Sequence, residues 1–310
     1  MQAQDIQQKF MIDSCDVRGQ LVKLNETWNE AVARVEYPAA VKQVLGEAFV
    51  AALLLASTIK FEGKLTLQVR GKGPVHLLVV QVTDDARVRG LARWHEVPVS
   101  NGLQSLFGDD ARMSITIEAN RNALPYQGIV PLTGESLAEA LQQYFRSSEQ
   151  LPTQLYLAVN DQTAAGLLIQ KLPDEQRTSH DADGWARATI LSSTLSEEDL
   201  CNEDIFTLLQ RLFHQEQVRV FDSEKVMFHC NCSRERTDSM LLGLGEAEVQ
   251  SIVDEQGQVE ITCEFCDSTY TYDSVDAIAL FKGIRTGADA IADDQSTKQH
   301  RPNNKPSQLH

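Results

Sequence analysis

Basic residues and long apolar runs are both scarce in this sequence. Its 28 Lys and Arg are set against 44 Asp and Glu, which gives a net charge of −16. Because nucleic-acid binding relies on clustered Lys and Arg, this balance argues against nucleic acid as a partner. The longest apolar run, Ala48 to Ala56, has nine residues, too few to cross a bilayer. We therefore expect a soluble protein that binds neither nucleic acid nor a membrane.

A secretory signal and the common catalytic motifs are also lacking. Residues 1–5 have neither the basic nor the apolar segment of an export signal, so we expect a reducing, cytoplasmic location. No Ser/His/Asp or paired-carboxylate arrangement stands out. Gly71 and Gly73 form a G-x-G without the further glycine and the helix that phosphate binding requires. We predict that the protein is not an enzyme.

Hydrophobic periodicity predicts an α+β fold in which residues 1–173 form an N-terminal α/β core domain. A buried core helix is expected from Pro38 to about Lys60, because apolar residues recur there every three or four positions. From Gly63 to about Ile117 the period changes to two, which predicts a mostly antiparallel sheet.

Residues 174–226 are predicted to form a helical linker. The segment is rich in polar residues, and its apolar residues form narrow stripes, of which the clearest is Ile205, Leu208, Leu209 and Leu212. Helices with so little core of their own depend on docking against a neighbouring element. We expect this linker to be conditionally folded.

Four of the six cysteines fall into two short pairs near the end of the chain. Cys230 and Cys232 form a C-x-C, and Cys263 and Cys266 form a C-x-x-C. Thiolates are soft ligands, and two such pairs can converge on one ion as a tetrahedral Cys₄ site. Zinc is the expected metal, since the spacing is not that of the common ferredoxin runs. The C-x-C is shorter than the usual zinc knuckle.

Residues 227–286 are predicted to form a small C-terminal zinc-binding domain around these pairs. The segment has few large apolar side chains, and it includes a short helix over 246–255 that ends at Gly257. So small a core commonly requires a metal, whose binding free energy, on the order of 10–16 kcal/mol, is then folding free energy. The polar residues 287–310 are predicted to be a disordered tail.

Together these features resemble the heat shock protein 33 family of redox-regulated chaperones. The resemblance covers residues from about 10 to 285. Its most specific part is the two cysteine pairs, Cys230-Asn231-Cys232 and Cys263-Glu264-Phe265-Cys266. The remaining matches lie in the N-terminal core and are Leu45-Gly46-Glu47, Leu54-Leu55-Ala56-Ser57, Ile59 to Gln68, Gly73-Pro74, Tyr144-Phe145 and Ser148-Glu149-Gln150.

The resemblance implies a redox switch. In this family the reduced, inactive protein holds one Zn²⁺ per chain through four cysteines, which here are Cys230, Cys232, Cys263 and Cys266. Peroxide with heat, or hypochlorous acid, converts each pair to a disulfide, by position Cys230–Cys232 and Cys263–Cys266, and releases the metal. The zinc domain and the linker then unfold. The oxidised protein forms a homodimer and binds unfolding client proteins without ATP.

The residues make such a switch physically reasonable. Metal-bound thiols are deprotonated, and the thiolate is the form that reacts with an oxidant. A C-x-C disulfide closes a tight ring, so it should be strained and comparatively easy to reduce again. A reversible sensor needs that property, whereas a permanent structural site does not.

Two other interpretations of the cysteine pairs remain open. One is a static zinc-ribbon binding module without redox switching, because most Cys₄ sites are structural. The other is a thiol–disulfide enzyme that uses Cys263 and Cys266, although such a C-x-x-C should open a helix and this one follows a predicted strand. Cys15 and Cys201 are expected to be ordinary semi-buried residues, and His229 is expected to lie beside the metal site.

Two apolar surfaces are candidates for client binding. The first is the strand face over Val75 to Val82, represented by Val75, Leu77 and Val79. The second is the linker stripe of Ile205, Leu208, Leu209 and Leu212, which would become exposed once the linker unfolds.

Overall fold

The computed structural model describes residues 5–119, 125–173, 176 and 181–283. The chain divides into two units, residues 1–230 and 231–310. Helices and mainly antiparallel sheets occur together, which confirms the predicted α+β class. The predicted tail, 287–310, lies outside the described residues.

The strands and helices of the described residues are as follows. The strands are β1 (Ile6–Ile12), β2 (Val17–Leu24), β3 (Gly63–Arg70), β4 (Val75–Thr83), β5 (Arg87–Trp94), β6 (Arg112–Ala119), β7 (Tyr126–Pro131), β8 (Thr153–Val159), β9 (Ala164–Lys171), β10 (Val218–Lys225), β11 (Met227–Phe228), β12 (Val259–Thr262) and β13 (Thr269–Tyr272). The helices are α1 (Glu26–Val32), α2 (Ala39–Thr58), α3 (Leu103–Phe107), α4 (Leu137–Tyr144), α5 (Gly184–Ser192), α6 (Glu197–Asn202), α7 (Ile205–Phe213), α8 (Arg234–Leu244), α9 (Glu246–Gln256) and α10 (Ser274–Phe281).

The first unit contains two sheets. One has the strand order β10-β1-β2-β9-β8, and the other has the order β11-β5-β4-β3-β6-β7. Neighbouring strands are antiparallel except for β11, which pairs in parallel with β5. The predicted mostly antiparallel sheet is therefore confirmed.

Helix α2 lies between these two sheets. Its apolar residues face all directions, and they share one core with Val22 and Leu168 of the first sheet and with Leu67 and Val80 of the second. In the described part of the chain, only α2 is long and apolar enough to cross a membrane, and 72% of its most apolar window is buried inside the protein. A helix that is apolar on every side is typical of a protein interior. The predicted core helix is confirmed.

The described part of the linker packs on the other face of the first sheet. Helices α5, α6 and α7 form a second core with strand residues such as Phe10, Leu21 and Leu167. The segment differs from the helical prediction at its end, where residues 218–225 form strand β10. β10 is an edge strand that gains its backbone hydrogen bonds from β1 and is exposed along most of its length. Its side chains therefore show little of the alternation that marks a half-buried strand.

The second unit contains α8, α9, the β12–β13 hairpin and α10. These elements enclose a small core of Leu241, Val249, Val253, Val259, Tyr272 and Ala277. Helix α9 ends at Gln256, and Gly257 follows it in the left-handed conformation with φ +84°. This confirms the predicted helix end at Gly257, and the small core agrees with the low apolar content of the segment.

Candidate metal centre

The four paired cysteines converge on one point. The Sγ atoms of Cys230, Cys232, Cys263 and Cys266 all lie within 4.8 Å of one another. The Sγ atoms of Cys232 and Cys266 are 3.3 Å apart, and no disulfide joins any of the six cysteines. Four Zn–S bonds of about 2.3 Å in a tetrahedron place the sulfurs about 3.8 Å apart. The cluster therefore has the size and the donor set for one soft metal ion.

Strand β11 positions the first cysteine. Met227 and Phe228 pair with the edge of β5, and the His229 amide donates to the Val88 carbonyl at 3.0 Å. The chain is thus anchored up to the residue before Cys230. The Nη1 of Arg89, which also lies on β5, donates to the Cys230 Sγ at 3.6 Å.

Cys232 immediately precedes helix α8. The next residue, Ser233, is the N-cap, and its hydroxyl accepts a hydrogen bond from the amide of Arg236 at 3.4 Å. The Tyr270 hydroxyl donates to the Cys232 Sγ at 3.3 Å. This bond to the sulfur raises the pKa of Tyr270, and burial and the other cysteine sulfurs act in the same direction. The phenol therefore stays protonated and can donate to the thiolate.

Cys263 and Cys266 lie in the turn between β12 and β13. The Asp267 amide donates to the Cys263 carbonyl at 2.8 Å, and the Cys263 amide donates to the Ser268 carbonyl at 2.9 Å. Asp267 has φ +56°, a left-handed conformation that Asp adopts more readily than most residues. The C-x-x-C thus follows a strand, as predicted, and it precedes another. It does not open a helix, which disfavours the thiol–disulfide enzyme.

The four cysteine side chains differ in solvent accessibility. Cys266 is buried, whereas Cys230, Cys232 and Cys263 are partly exposed. Sulfur donors of this kind suit zinc and other soft ions better than calcium or magnesium. The imidazole of His229 does not belong to the sulfur cluster found among the described residues.

The two remaining cysteines, Cys15 and Cys201, lie in the first unit. Cys15 is 3% exposed and Cys201 is 5% exposed. Burial raises the pKa of both thiols, which disfavours the reactive thiolate. Both positions agree with the expectation of ordinary residues.

The strand residues proposed for client binding do not share one face. A register shift between Val75 and Leu77 interrupts the alternation of β4. As a result Val75 joins the α2 core together with Leu78, whereas Leu77 and Val79 are partly exposed on the opposite face.

The linker residues proposed for client binding do share one face. Ile205, Leu208, Leu209 and Leu212 lie on α7, are at most 4% exposed and pack in the second core of the first unit. Asp204 caps this helix, because its Oδ1 accepts from the amides of Phe206 at 3.1 Å and Thr207 at 3.0 Å.

No local sequence pattern indicates that Arg89 and Tyr270 contact the cysteine sulfurs. Arg89 is 141 positions from Cys230 in the chain, and no local pattern connects them. The alternation of Tyr270 and Tyr272 predicts a strand, but it does not reveal which sulfur the phenol contacts.

Comparison with known proteins agrees with this architecture. The family model described as "Hsp33 protein" matches residues 5–273. The chain is 43% identical over 282 residues to the 33 kDa chaperonin of Chromobacterium violaceum, covering 91% of this chain and 95% of that protein. It is also 43% identical over 281 residues to the 33 kDa chaperonin of Nitrosococcus oceani, covering 91% and 96%.

A solved structure shows the same fold. The 33 kDa chaperonin of Thermotoga maritima superposes with a TM-score of 0.76 over 91% of this chain and 99% of that one, at 22% identity. The family model and the relatives that are 43% identical settle the classification, which the convergence of the two cysteine pairs already indicates. The chain belongs to the Hsp33 protein family.

Proposed function

We propose that this protein is a redox-regulated, ATP-independent holdase that binds unfolding proteins under oxidative stress. The observation that carries the proposal is the convergence of four cysteine sulfurs within 4.8 Å. The relatives are named 33 kDa chaperonin, which supports a chaperone function. We place the protein in the cytoplasm, with client proteins as its partners and with neither nucleic acid nor a membrane among them.

The four cysteines hold zinc in the reduced, inactive protein. When bound, the ion cross-links the start of α8 to the β12–β13 turn and keeps the four sulfurs deprotonated. The second unit has a small apolar core, so it depends on this cross-link for much of its stability. A change that removes the sulfurs as ligands therefore unfolds the unit.

Oxidation by hydrogen peroxide supplies that change. One thiolate of a pair attacks a peroxide oxygen, so that an S–O bond forms, the O–O bond breaks and hydroxide leaves. The second thiolate then attacks this sulfur, an S–S bond forms and a second hydroxide leaves. With two protons from solvent, each pair loses two electrons and reduces one peroxide to two waters. The resemblance implies the pairs Cys230–Cys232 and Cys263–Cys266, and as disulfides they no longer provide anionic ligands.

The linker connects this event to client binding. Helices α5, α6 and α7 cover one face of the first sheet, and the α7 stripe of Ile205, Leu208, Leu209 and Leu212 is buried there. When the zinc domain and the linker unfold, this stripe and the sheet face beneath it become available to apolar segments of a client. The partly exposed Leu77 and Val79 are the second candidate surface. The active form is a homodimer.

A static zinc module without redox switching is the alternative. It is favoured by the contacts of two sulfurs, since Arg89 lies 3.6 Å from Cys230 and Tyr270 lies 3.3 Å from Cys232. Groups that hold ligands in this way are also found around permanent metal sites.

Disulfide mapping distinguishes the two functions. The zinc-loaded, reduced protein is treated with peroxide at raised temperature, and released zinc is measured with a chromogenic chelator. Remaining thiols are then blocked, and the peptides are analysed by mass spectrometry. The switch predicts one zinc released per chain and the pairs Cys230–Cys232 and Cys263–Cys266, with equal release from a Cys201→Ser control. Retained zinc, or a dominant Cys232–Cys266 link, contradicts it.

A further inference from the structure

Arg18 is a partly buried arginine on β2. In the described residues Arg18 forms no ion pair with a carboxylate. Its Nε donates to the Gln170 Oε1 at 2.8 Å, and its Nη2 donates to the same oxygen. Gln170 is a neutral amide that is fully buried and donates to the Thr153 Oγ1 at 2.7 Å. Burial lowers the pKa of Arg18, because the charged form loses solvation. A guanidinium that has lost solvation without gaining an anionic partner has an unfavourable free energy, and binding of an anion would offset it.

A second donor lies beside it. Gln20 is two residues further along β2, so its side chain is on the same face of the sheet as that of Arg18. Gln20 is 4% exposed, and its Nε2 has no hydrogen-bond partner in the part of the chain that the structure describes. A buried amide donor without an acceptor is unfavourable and uncommon in folded proteins. The Nε2 of Gln20 can therefore donate to a ligand oxygen.

Arg18 and Gln20 line the same cavity of about 250 Å³. Ser57 and Thr58, at the end of α2, and Lys9 lie in its wall, and the described residues contribute no carboxylate to it. The Lys9 Nζ is bonded to the Glu224 Oε1 at 3.0 Å, and Glu224 does not line this cavity. The Ser57 and Thr58 hydroxyls donate to the Leu54 and Leu55 carbonyls. The cavity is thus positive, and Arg18 and Gln20 are the donors that it can offer to an anion.

A second cavity, of about 390 Å³, shares Arg18 and Thr58 with the first. Its walls are mainly apolar, with Leu55, Leu65 and Ile115 among the contributing side chains. Among the described residues Glu149 is the one carboxylate that lines it, and its Oε1 accepts a hydrogen bond from the Tyr144 hydroxyl at 2.9 Å. The larger cavity therefore suits an alkyl chain, and the smaller one suits an anionic head.

We propose that the two cavities bind an alkyl carboxylate of medium chain length, with its carboxylate on Arg18 and Gln20 and its chain in the larger cavity. The guanidinium fork matches a carboxylate in shape and charge, and the Gln20 Nε2 supplies a further donor. A phosphate dianion fits less well. Arg18 is the one cation lining the smaller cavity that has no carboxylate partner among the described residues, since Lys9 is paired with Glu224, and apolar side chains form much of the remaining wall. This site is independent of the cysteine switch, and its failure would leave the redox function untouched.

The test is a titration of the full-length, reduced, zinc-loaded protein with carboxyl-¹³C-labelled decanoate below its micelle concentration. We expect saturable 1:1 binding and a shift of the carboxylate ¹³C resonance. Decanol and inorganic phosphate serve as comparison probes, and we expect both to bind at least about tenfold more weakly. Equal binding of decanol, binding of phosphate alone, or no binding of decanoate would each overturn the proposal.

Three variants test the residues. We expect Arg18→Lys, which loses the fork, to weaken decanoate binding about tenfold. Gln20→Leu should also weaken binding and, because it removes a buried amide without a partner, should raise the melting temperature. Arg112→Lys is the matched control, because it makes the same charge-conserving change at an exposed position outside both cavities, and it should bind like the wild type. Wild-type affinity in both Arg18→Lys and Gln20→Leu contradicts the proposal.

Discussion

Gly184, the first residue of α5, lies directly against Cys15. A β-carbon on Gly184 would lie 2.7 Å from the Cα of Cys15, closer than real β-carbon contacts. One turn later Arg187 donates to the Glu216 Oε1 at 2.5 Å and to the Asp181 Oδ2 at 2.7 Å. Helix α5 thus begins with a close backbone contact to Cys15, and the ion pairs of Arg187 with Glu216 and Asp181 stabilise it.

Gly184→Ala should loosen this contact. The added methyl meets backbone atoms of Cys15 that cannot move aside, so α5 must shift away from the first sheet. We expect faster hydrogen exchange over residues 184–192 and partial holdase activity in the reduced protein. Gly243→Ala is the matched control. Among the described residues no atom beyond the adjoining backbone of α8 lies within 4 Å of the added methyl, so α8 should gain up to about 1 kcal/mol. Unchanged exchange over 184–192 in Gly184→Ala contradicts the predicted contact.

Glu216 makes the linker contact dependent on pH. The hydrogen bond from Arg187 lowers the pKa of Glu216 from 4.5 to about 2. A depressed carboxylate pKa stabilises the folded state above the unfolded value, and this contribution is lost as the pH falls through the folded value. Glu216→Gln should therefore reduce the free energy of unfolding by about 1–3 kcal/mol at pH 7.

The measurement compares urea unfolding of zinc-free wild type and Glu216→Gln between pH 7 and pH 2. The difference between the two proteins should be constant above about pH 4.5 and should fall toward zero near pH 2. A difference that does not change over this window would show that Glu216 is not held as a carboxylate by Arg187.

The parts of the fold that could be predicted are those with a strong local signal. The apolar residues of α2 repeat over five turns, and the spacing of the two cysteine pairs predicts the cluster that their four sulfurs form. Strand β10 gave no such signal, since an exposed edge strand takes its structure from pairing with β1. The register shift between Val75 and Leu77 likewise arises from pairing with β5. Simple alternation groups Val75 with Leu77, whereas the structure places Val75 in the core around α2.

The contacts around the sites could not be predicted because they join distant parts of the chain. Arg89 and Cys230 meet only because β11 adds to the edge of β5. Arg18 and Gln170 meet because β2 and β9 are neighbours in the first sheet. A single sequence identifies such residues by type and leaves their partners unknown.

Tyr270→Phe should make the cysteine cluster easier to oxidise. The phenol donates to the Cys232 Sγ at 3.3 Å, and this hydrogen bond lowers the nucleophilicity of the thiolate. We expect peroxide to release zinc up to about tenfold faster from the variant, the equivalent of one hydrogen bond to a charged group. Tyr126→Phe, at an exposed position in the first unit, should release zinc at the wild-type rate. A slower or equal rate of zinc release from Tyr270→Phe would show that the phenol does not reduce the reactivity of the Cys232 thiolate.

Cys232→Ser should remove zinc and unfold the second unit. A neutral hydroxyl is a poor substitute for a thiolate as a zinc ligand. Without the metal, the second unit is stabilised mainly by the small apolar core around Leu241 and Tyr272. We expect less than one zinc per chain by atomic absorption and loss of exchange protection over residues 234–281. Cys201→Ser is the control and should keep a full zinc equivalent. Full zinc content with unchanged protection in Cys232→Ser would exclude this residue as a ligand.

The α7 stripe can be tested for client binding with two readouts. Leu209→Gln combined with Leu212→Gln should undock α7, seen as faster hydrogen exchange over 205–213 in the reduced protein. If the stripe itself contacts clients, the oxidised variant should nevertheless suppress aggregation less than the oxidised wild type. Phe206→Gln, on the exposed side of the same helix, is the control. Undiminished activity of the oxidised double variant would favour the sheet face or the Leu77 and Val79 surface.

The most direct test of the switch follows zinc and activity in one sample. Reduced, zinc-loaded protein is mixed with peroxide at raised temperature, zinc release is followed with a chromogenic chelator, and suppression of citrate synthase aggregation is followed by light scattering. A redox switch predicts that suppression of aggregation rises together with zinc release and that a thiol reductant reverses this suppression. Suppression that is already complete before zinc leaves, or zinc release without any gain in suppression, would contradict it.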